Sequence, residues 1–147
     1  MTTYQRESVA DVLDEIKPLL ARHWDEIATF KDLPLDPKYD AYLKADFAGL
    51  VRVYTARREG VLVGYGVFFI GNMHYQSSKI ATQDLLFLAP EHRGSSIGMR
   101  LIRFCDDMLE SEGVQVIYQH VKAAHDFGPL LERLGYETNE KLYAKRL

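Results

Sequence analysis

The spacing of apolar and polar positions changes period several times along this chain, and each change marks an element. From Ser8 a helical period runs to about Arg22, opened by Ser8-Val9-Ala10-Asp11, which has the form of a capping box. A second helix is predicted from Asp36-Pro37, acting as N-cap and first-turn proline, and it buries Tyr39, Tyr42, Leu43 and Phe47 at helical spacing. Between the two, the stretch 24–35 is aromatic and charged with no clear period, which predicts a loop. Positions 51–59 alternate, Gly60 turns the chain, and 61–70 resume the alternation, so these runs pair as a hairpin. A third strand, 80–88, leads through a Gly/Ser turn into a helix that reaches about Ser111. Its apolar stripe is Ile97, Leu101, Phe104, Cys105 and Met108, and Glu112-Gly113 ends it. A fourth strand over 114–121, a short helix over 127–134 stopped by Gly135, and a final strand over 141–147 complete the order.

Strand, turn, helix, strand is a βαβ unit, so the strands at 80–88 and 114–121 are expected to lie parallel with a right-handed crossover. Hairpin links elsewhere make the predicted sheet mixed and mostly antiparallel, and the fold class α/β. A length of 147 residues with 47% hydrophobic content suits one domain over 1–147. The net charge of −3 gives no general attraction to nucleic acid. Arg52, Arg57 and Arg58 cluster on one strand and are expected to form its solvated face. No apolar run nears the ~20 residues that cross a bilayer, and the first residues lack an apolar signal-peptide core, so a cytoplasmic protein is expected. One cysteine leaves no internal disulfide, and Cys105, on the helix stripe, is expected to be core filler. His92, His120 and His125 lack ligand spacing, so no metal is expected, and Asp126 is expected to cap the helix after it.

Most of the chemistry is concentrated in Leu86-Phe87-Leu88-Ala89-Pro90-Glu91-His92-Arg93-Gly94-Ser95-Ser96-Ile97-Gly98-Met99, an apolar strand running through a Gly/Ser turn into a helix. The first amides of a helix lack acceptors and sit at the positive end of its dipole, so such a junction suits a phosphate. Gly94 and Gly98 let a bulky ligand approach the main chain, Ser95 and Ser96 add hydroxyls, and Arg93 adds a cation. A Walker loop needs Lys-Ser/Thr after its last glycine, where Met99-Arg100 stands. A dinucleotide-binding loop needs three glycines near the first strand, and this turn has two, far along the chain.

The run from Arg93 to Gly98, after a strand ending in Leu88-Ala89-Pro90-Glu91, resembles the acetyl-CoA signature of the GNAT N-acetyltransferase superfamily, with Ser96 where that family usually has its middle glycine. The order of elements is similar over nearly the whole chain. The wording of the stretch from Trp24, and His125-Asp126-Phe127, look like small bacterial and bacteriophage-encoded members. The resemblance implies a splayed parallel strand pair that receives acetyl-CoA. The pyrophosphate would lie on Arg93, Gly94, Ser95, Ser96, Ile97, Gly98 and Met99, and the pantetheine arm would pair with the backbone of Leu86, Phe87 and Leu88.

It also implies acetyl transfer to a primary amine. The base is expected six or eight residues before Pro90, at Asp84 or Thr82, and alternation puts both on the face of Leu86 and Leu88, with Gln83 on the other. The oxyanion donor would be the Leu88 N–H. At the family's usual tyrosine stands Leu131, and at its usual asparagine Ala124, so the substitute acids are Tyr118, His120 and Tyr143, or no acid is needed and the CoA thiolate takes its proton from water. The acceptor side would fall to the first two helices and their link, where Trp24, Asp25, Glu26, Phe30, Asp32, Asp36, Asp40 and Asp46 suit a cationic amine. Two other readings stand beside this one. The chain could bind CoA with little or no catalysis, or serve as an interaction surface burying aromatics such as Tyr39 or Tyr75 against another chain. A homodimer is compatible with each.

Overall fold

The computed structural model describes residues 1–71 and 78–147, so Tyr75 lies outside the described residues. Five strands form one sheet in the order β1 (Thr2–Glu7), β2 (Val51–Arg58), β3 (Val61–Gly71), β4 (Lys79–Leu88) and β5 (Val114–Tyr118). Pairing is antiparallel from β1 through β4, and β4 with β5 is parallel, as the βαβ pattern requires.

Helix α1 (Val9–Ile27) begins on Ser8, whose Oγ accepts the Asp11 amide at 3.1 Å, so the cap read from the sequence is present. With α2 (Tyr39–Phe47) it covers one face, packing Val12, Ile16 and Leu20 on Val51, Val53, Tyr65, Val67 and Phe87. Helix α3 (Ile97–Ser111) covers the other, packing Ile97, Leu101, Cys105 and Leu109 on Tyr54, Phe68, Ala81 and Val114. It lies close because Gly66 has no side chain, and a Cβ there would stand 3.2 Å from Cys105 Sγ. Cys105 is fully buried, as expected of core filler, and burial pushes its thiol pKa well up. A short helix α4 (Gly128–Arg133) follows β5, with the Gly128 amide donating to Asp126 Oδ1 at 2.8 Å.

Several expectations are corrected. The sequence reading placed no strand at the N-terminus, yet β1 is an edge strand, polar because it is covered on one side only. Helix α1 continues through 24–27, read as loop, because His23 packs on Phe87 and Tyr65 and Glu26 meets Arg93. Helix α2 starts at Tyr39 with Lys38 as N-cap, so Asp36 and Pro37 lie before it. Phe47, at its last turn, is 96% exposed instead of buried. Strand β5 stops at Tyr118 rather than 121, and residues 137–147 form no strand. That segment alternates, but a strand requires a neighbour to share its ladder, and its Arg146 instead pairs with Asp32 at 3.1 Å. Arg57 is not on a solvated face either. It bonds Glu7 at 2.9 Å and Glu15 at 2.8 Å, while Arg52 bonds Glu112 at 2.9 Å, and both arginine side chains are mostly buried.

Candidate functional site

The site begins where the sheet opens. Strand β5 pairs with β4 only from Lys79 to Thr82, and β4 then runs on to Leu88 without it. At the point of separation the Gln83 side chain takes over, its Oε1 accepting the His120 amide at 2.7 Å. The Ala89 amide donates to Val63 O at 2.8 Å, which makes alternate pairs beyond it, Tyr65 with Phe87 included, the hydrogen-bonded ones. Leu86 and Leu88 therefore aim their N–H and C=O groups away from β3, into the opening. Of the three residues whose backbone the sequence resemblance assigned to the pantetheine arm, Leu86 and Leu88 face the opening, whereas the assignment of Phe87 is corrected, because its N–H and C=O are turned to Tyr65 of β3.

At the end of β4 a 3-10 turn, Pro90–His92, leads to Gly94, whose φ of 79° is the left-handed conformation that glycine adopts without strain. Ser95 Oγ donates to His92 O at 2.7 Å and accepts the Ile97 amide at 3.4 Å, which folds the turn over the start of α3. Ser96 is the N-cap but makes no side-chain cap. Among the described residues the Gly98 and Met99 amides have no acceptor, so they point out of the helix end together with its dipole. The backbone of this turn is thus built to receive an anion. The Arg93 side chain is directed elsewhere: its Nε donates to Leu88 O at 2.8 Å, and its terminal nitrogens grip Glu26 at 2.7 and 2.9 Å. Burial raises the Glu26 carboxyl, but the hydrogen bonds and charge of Arg93 outweigh it and hold the group below its usual range.

The expected placement of Asp84 is corrected. Val67 pairs with Leu85 but Phe68 with Gln83, so Asp84 is the extra residue of a β-bulge and alternation breaks there. Leu86 and Leu88 pack toward α3, whereas Asp84 faces α2, where its Oδ2 accepts the Tyr42 hydroxyl at 2.5 Å. Tyr42, which the sequence pattern marked only as core, is therefore a site residue. Its hydroxyl pKa is pushed up by burial and then by Asp84.

Asp84, Tyr118 and His120 line one cleft of about 1480 Å³ between the parted strands, the 119–127 loop and α4. Tyr118 sits in register with Thr82 and is half-buried, and His120 is exposed. Leu86 lines the cleft too, whereas the turn at 93–99 lies outside it. Leu131 is buried, filling core at the position where the resemblance would have a tyrosine. Tyr143 is 86% exposed on the strandless C-terminal segment, 137–147. His23, also on the cleft wall, is 5% exposed with Nδ1 unpartnered among the described residues. Burial pushes its pKa down to about 4, against a partial opposing pull from Glu26. Among the described residues no group of His, Cys, Asp or Glu side chains has the arrangement of a metal site, and no helix is long and apolar enough to cross a membrane.

A mixed sheet opened between its parallel strands, with an anion-receiving turn at the end of the longer one, is the α/β architecture that the sequence resemblance to acetyl-CoA-dependent transferases implies. The sequence matches the Acetyltransferase (GNAT) family over residues 13–136, and the chain belongs to that family of N-acetyltransferases, whose acyl donor is acetyl-CoA. No curated protein matches it significantly. Among solved structures it is similar to a ribosomal-protein-alanine N-acetyltransferase from Brucella melitensis, with 19% identity, a TM-score of 0.75, and coverage of 100% of this chain and 99% of that one. It is similar at 16% identity and TM-score 0.75 to an aminoglycoside acetyltransferase from an uncultured soil metagenomic sample in complex with sisomicin, covering 99% and 94%. A predicted acetyltransferase with acetyl-CoA from Clostridium acetobutylicum matches at 10% identity and TM-score 0.73, covering 99% of this chain and 96% of that one. At these identities the likenesses establish the GNAT fold.

Proposed function

We propose that this chain, a small bacterial or bacteriophage-type member working in the cytoplasm, transfers the acetyl group of acetyl-CoA to a primary amine by direct attack. The amine nitrogen adds to the thioester carbonyl, the C–S bond breaks as the amide forms, and the amine's proton passes to Asp84 directly or through one water. The Leu88 N–H, free at the opening, is the donor for the oxyanion. Tyr42 orients the Asp84 carboxylate, and Tyr118 or His120 returns a proton to the leaving thiolate. The pyrophosphate sits on the backbone of 94–99, with Arg93 holding that turn in place.

The observation that carries this reading is the bulge, which sets a carboxylate beside the exposed edge of β4 where the strands part. Asp84→Asn should lower kcat by about 10²-fold at neutral pH with the KM for acetyl-CoA unchanged. Turnover equal to that of the unaltered protein would remove Asp84 from the mechanism. Leu131 favours a second reading, acetyl-CoA binding without catalysis, because it fills core where an acid would stand. That reading predicts calorimetric binding of acetyl-CoA with no thiol release across a panel of amines.

A further inference from the structure

Beneath α1, the 34–37 segment and α2 lies a second cavity, of about 290 Å³, on the face of the sheet that Asp84 occupies. Its wall includes Leu13, Trp24, Leu35, Tyr39, Tyr42 and Leu85, and among the described residues Asp36 is the one charged member of it. Two of these residues connect it to the reaction. Tyr42 gives its ring to the cavity and its hydroxyl to Asp84, and Leu85 follows Asp84 directly in β4. A group held in the cavity is thus one aromatic ring away from the carboxylate.

The volume decides what fits. A dry apolar cavity of ~150 Å³ already accommodates benzene, so this one takes a phenyl, a cyclohexyl or a branched alkyl group. A polyhydroxylated or polycationic acceptor would leave its polar groups unpaired against this wall, at a cost of at least ~1–3 kcal/mol each. We infer that the acceptor is a primary amine carrying a compact apolar group on a short spacer, the apolar group seated in this cavity and the amine directed to Asp84. This rests on the acetyltransferase reading and narrows its substrate class. Trp24 and Asp36, from the acidic and aromatic set that the sequence marked as suited to a cationic amine, are both on this wall.

Trp24 supplies the test, because it is the only tryptophan of the sequence and it lines the cavity. The full chain, with CoA present, is titrated with 2-cyclohexylethylamine, which does not absorb in the tryptophan band, and in parallel with spermidine and kanamycin. The cyclohexyl amine should shift Trp24 emission saturably and the two polycations should not, and its kcat/KM in a thiol-release assay should exceed theirs by at least about tenfold. Leu13→Phe, which shrinks the cavity from α1, should weaken the emission response by about tenfold. Leu35→Phe, on a wall residue that is 39% exposed and tolerant of change, provides the same test should the first variant fold poorly. Emission unmoved up to millimolar cyclohexyl amine overturns the inference. So does faster acetylation of spermidine or kanamycin, in which case the acetyltransferase reading stands. Failure to bind acetyl-CoA in calorimetry overturns that reading instead, while the Trp24 titration still decides what the cavity holds.

Discussion

Arg93 ends up bound to the protein itself, by three hydrogen bonds to Leu88 O and the Glu26 carboxylate. The motif spacing suggested a cation facing a phosphate, and nothing in it could reveal Glu26, 67 residues earlier. At 28% and 24% side-chain exposure the pair is screened only in part. Glu26→Gln should cost about 1–2 kcal/mol in urea unfolding and weaken acetyl-CoA binding by loosening the turn, with kcat at saturating acetyl-CoA nearly unchanged. An unmoved urea midpoint would make the contact a solvated one. His23 sets a pH dependence at the same scale. Its folded pKa of about 4 lies below the ordinary 6.5, so the unfolded chain binds more protons between these values. Its contribution is complete above pH 6.5 and is lost as pH falls toward 4, on the order of 3 kcal/mol in all. The lowered carboxylates Glu7, Glu15 and Glu26 act in the same direction, but below about pH 4.5. His23→Phe, stacked in the same place on Phe87, should flatten the stability slope between pH 6.5 and 5. An unchanged slope in chemical denaturation would assign the dependence to another group.

At the scale of elements, the start of α3 separates stability from binding. Ser96 is its N-cap but makes no cap bond, and the Gly98 and Met99 amides are open. A carboxylate there suits the helix and repels a pyrophosphate. Ser96→Asp should therefore raise stability by about 0.5–1 kcal/mol while weakening acetyl-CoA by tenfold or more. A variant that is stabilised yet binds acetyl-CoA normally would place the pyrophosphate elsewhere. This junction was legible in the sequence because it depends on local features, an apolar strand, a glycine-bearing turn and an amphipathic helix. The same holds for the capped start of α1 and the β2–β3 hairpin. What periodicity missed has physical causes of its own. Strand β1 is polar because it is an edge, and the bulge at Asp84 reverses the alternation that the face assignment relied on. Tyr42, Glu26 and the partners of Arg57 reach the site or the sheet only through tertiary contacts.

For the whole molecule, the two faces of the sheet carry different features. The layer of α1 and α2 holds the apolar cavity and Tyr42, the α3 layer holds the anion turn, and β4 passes between them, changing face at the bulge. The opening between β4 and β5 leaves a readable mark on the backbone. In the free protein the Leu86 and Leu88 amides face the opening, while Ala89 bonds Val63 and Phe87 lies in a hydrogen-bonded pair with Tyr65. Amide exchange should accordingly be fast at Leu86 and Leu88 and slow at Phe87 and Ala89. If the pantetheine arm adds itself to this edge, acetyl-CoA at about 100 times its Kd should slow the first pair by up to roughly a hundredfold and change the second little. Protection spread evenly over β4 would point to general stiffening. Protection confined to 94–99 would show a cofactor held by its pyrophosphate alone, with the arm outside the split and no thioester delivered to Asp84.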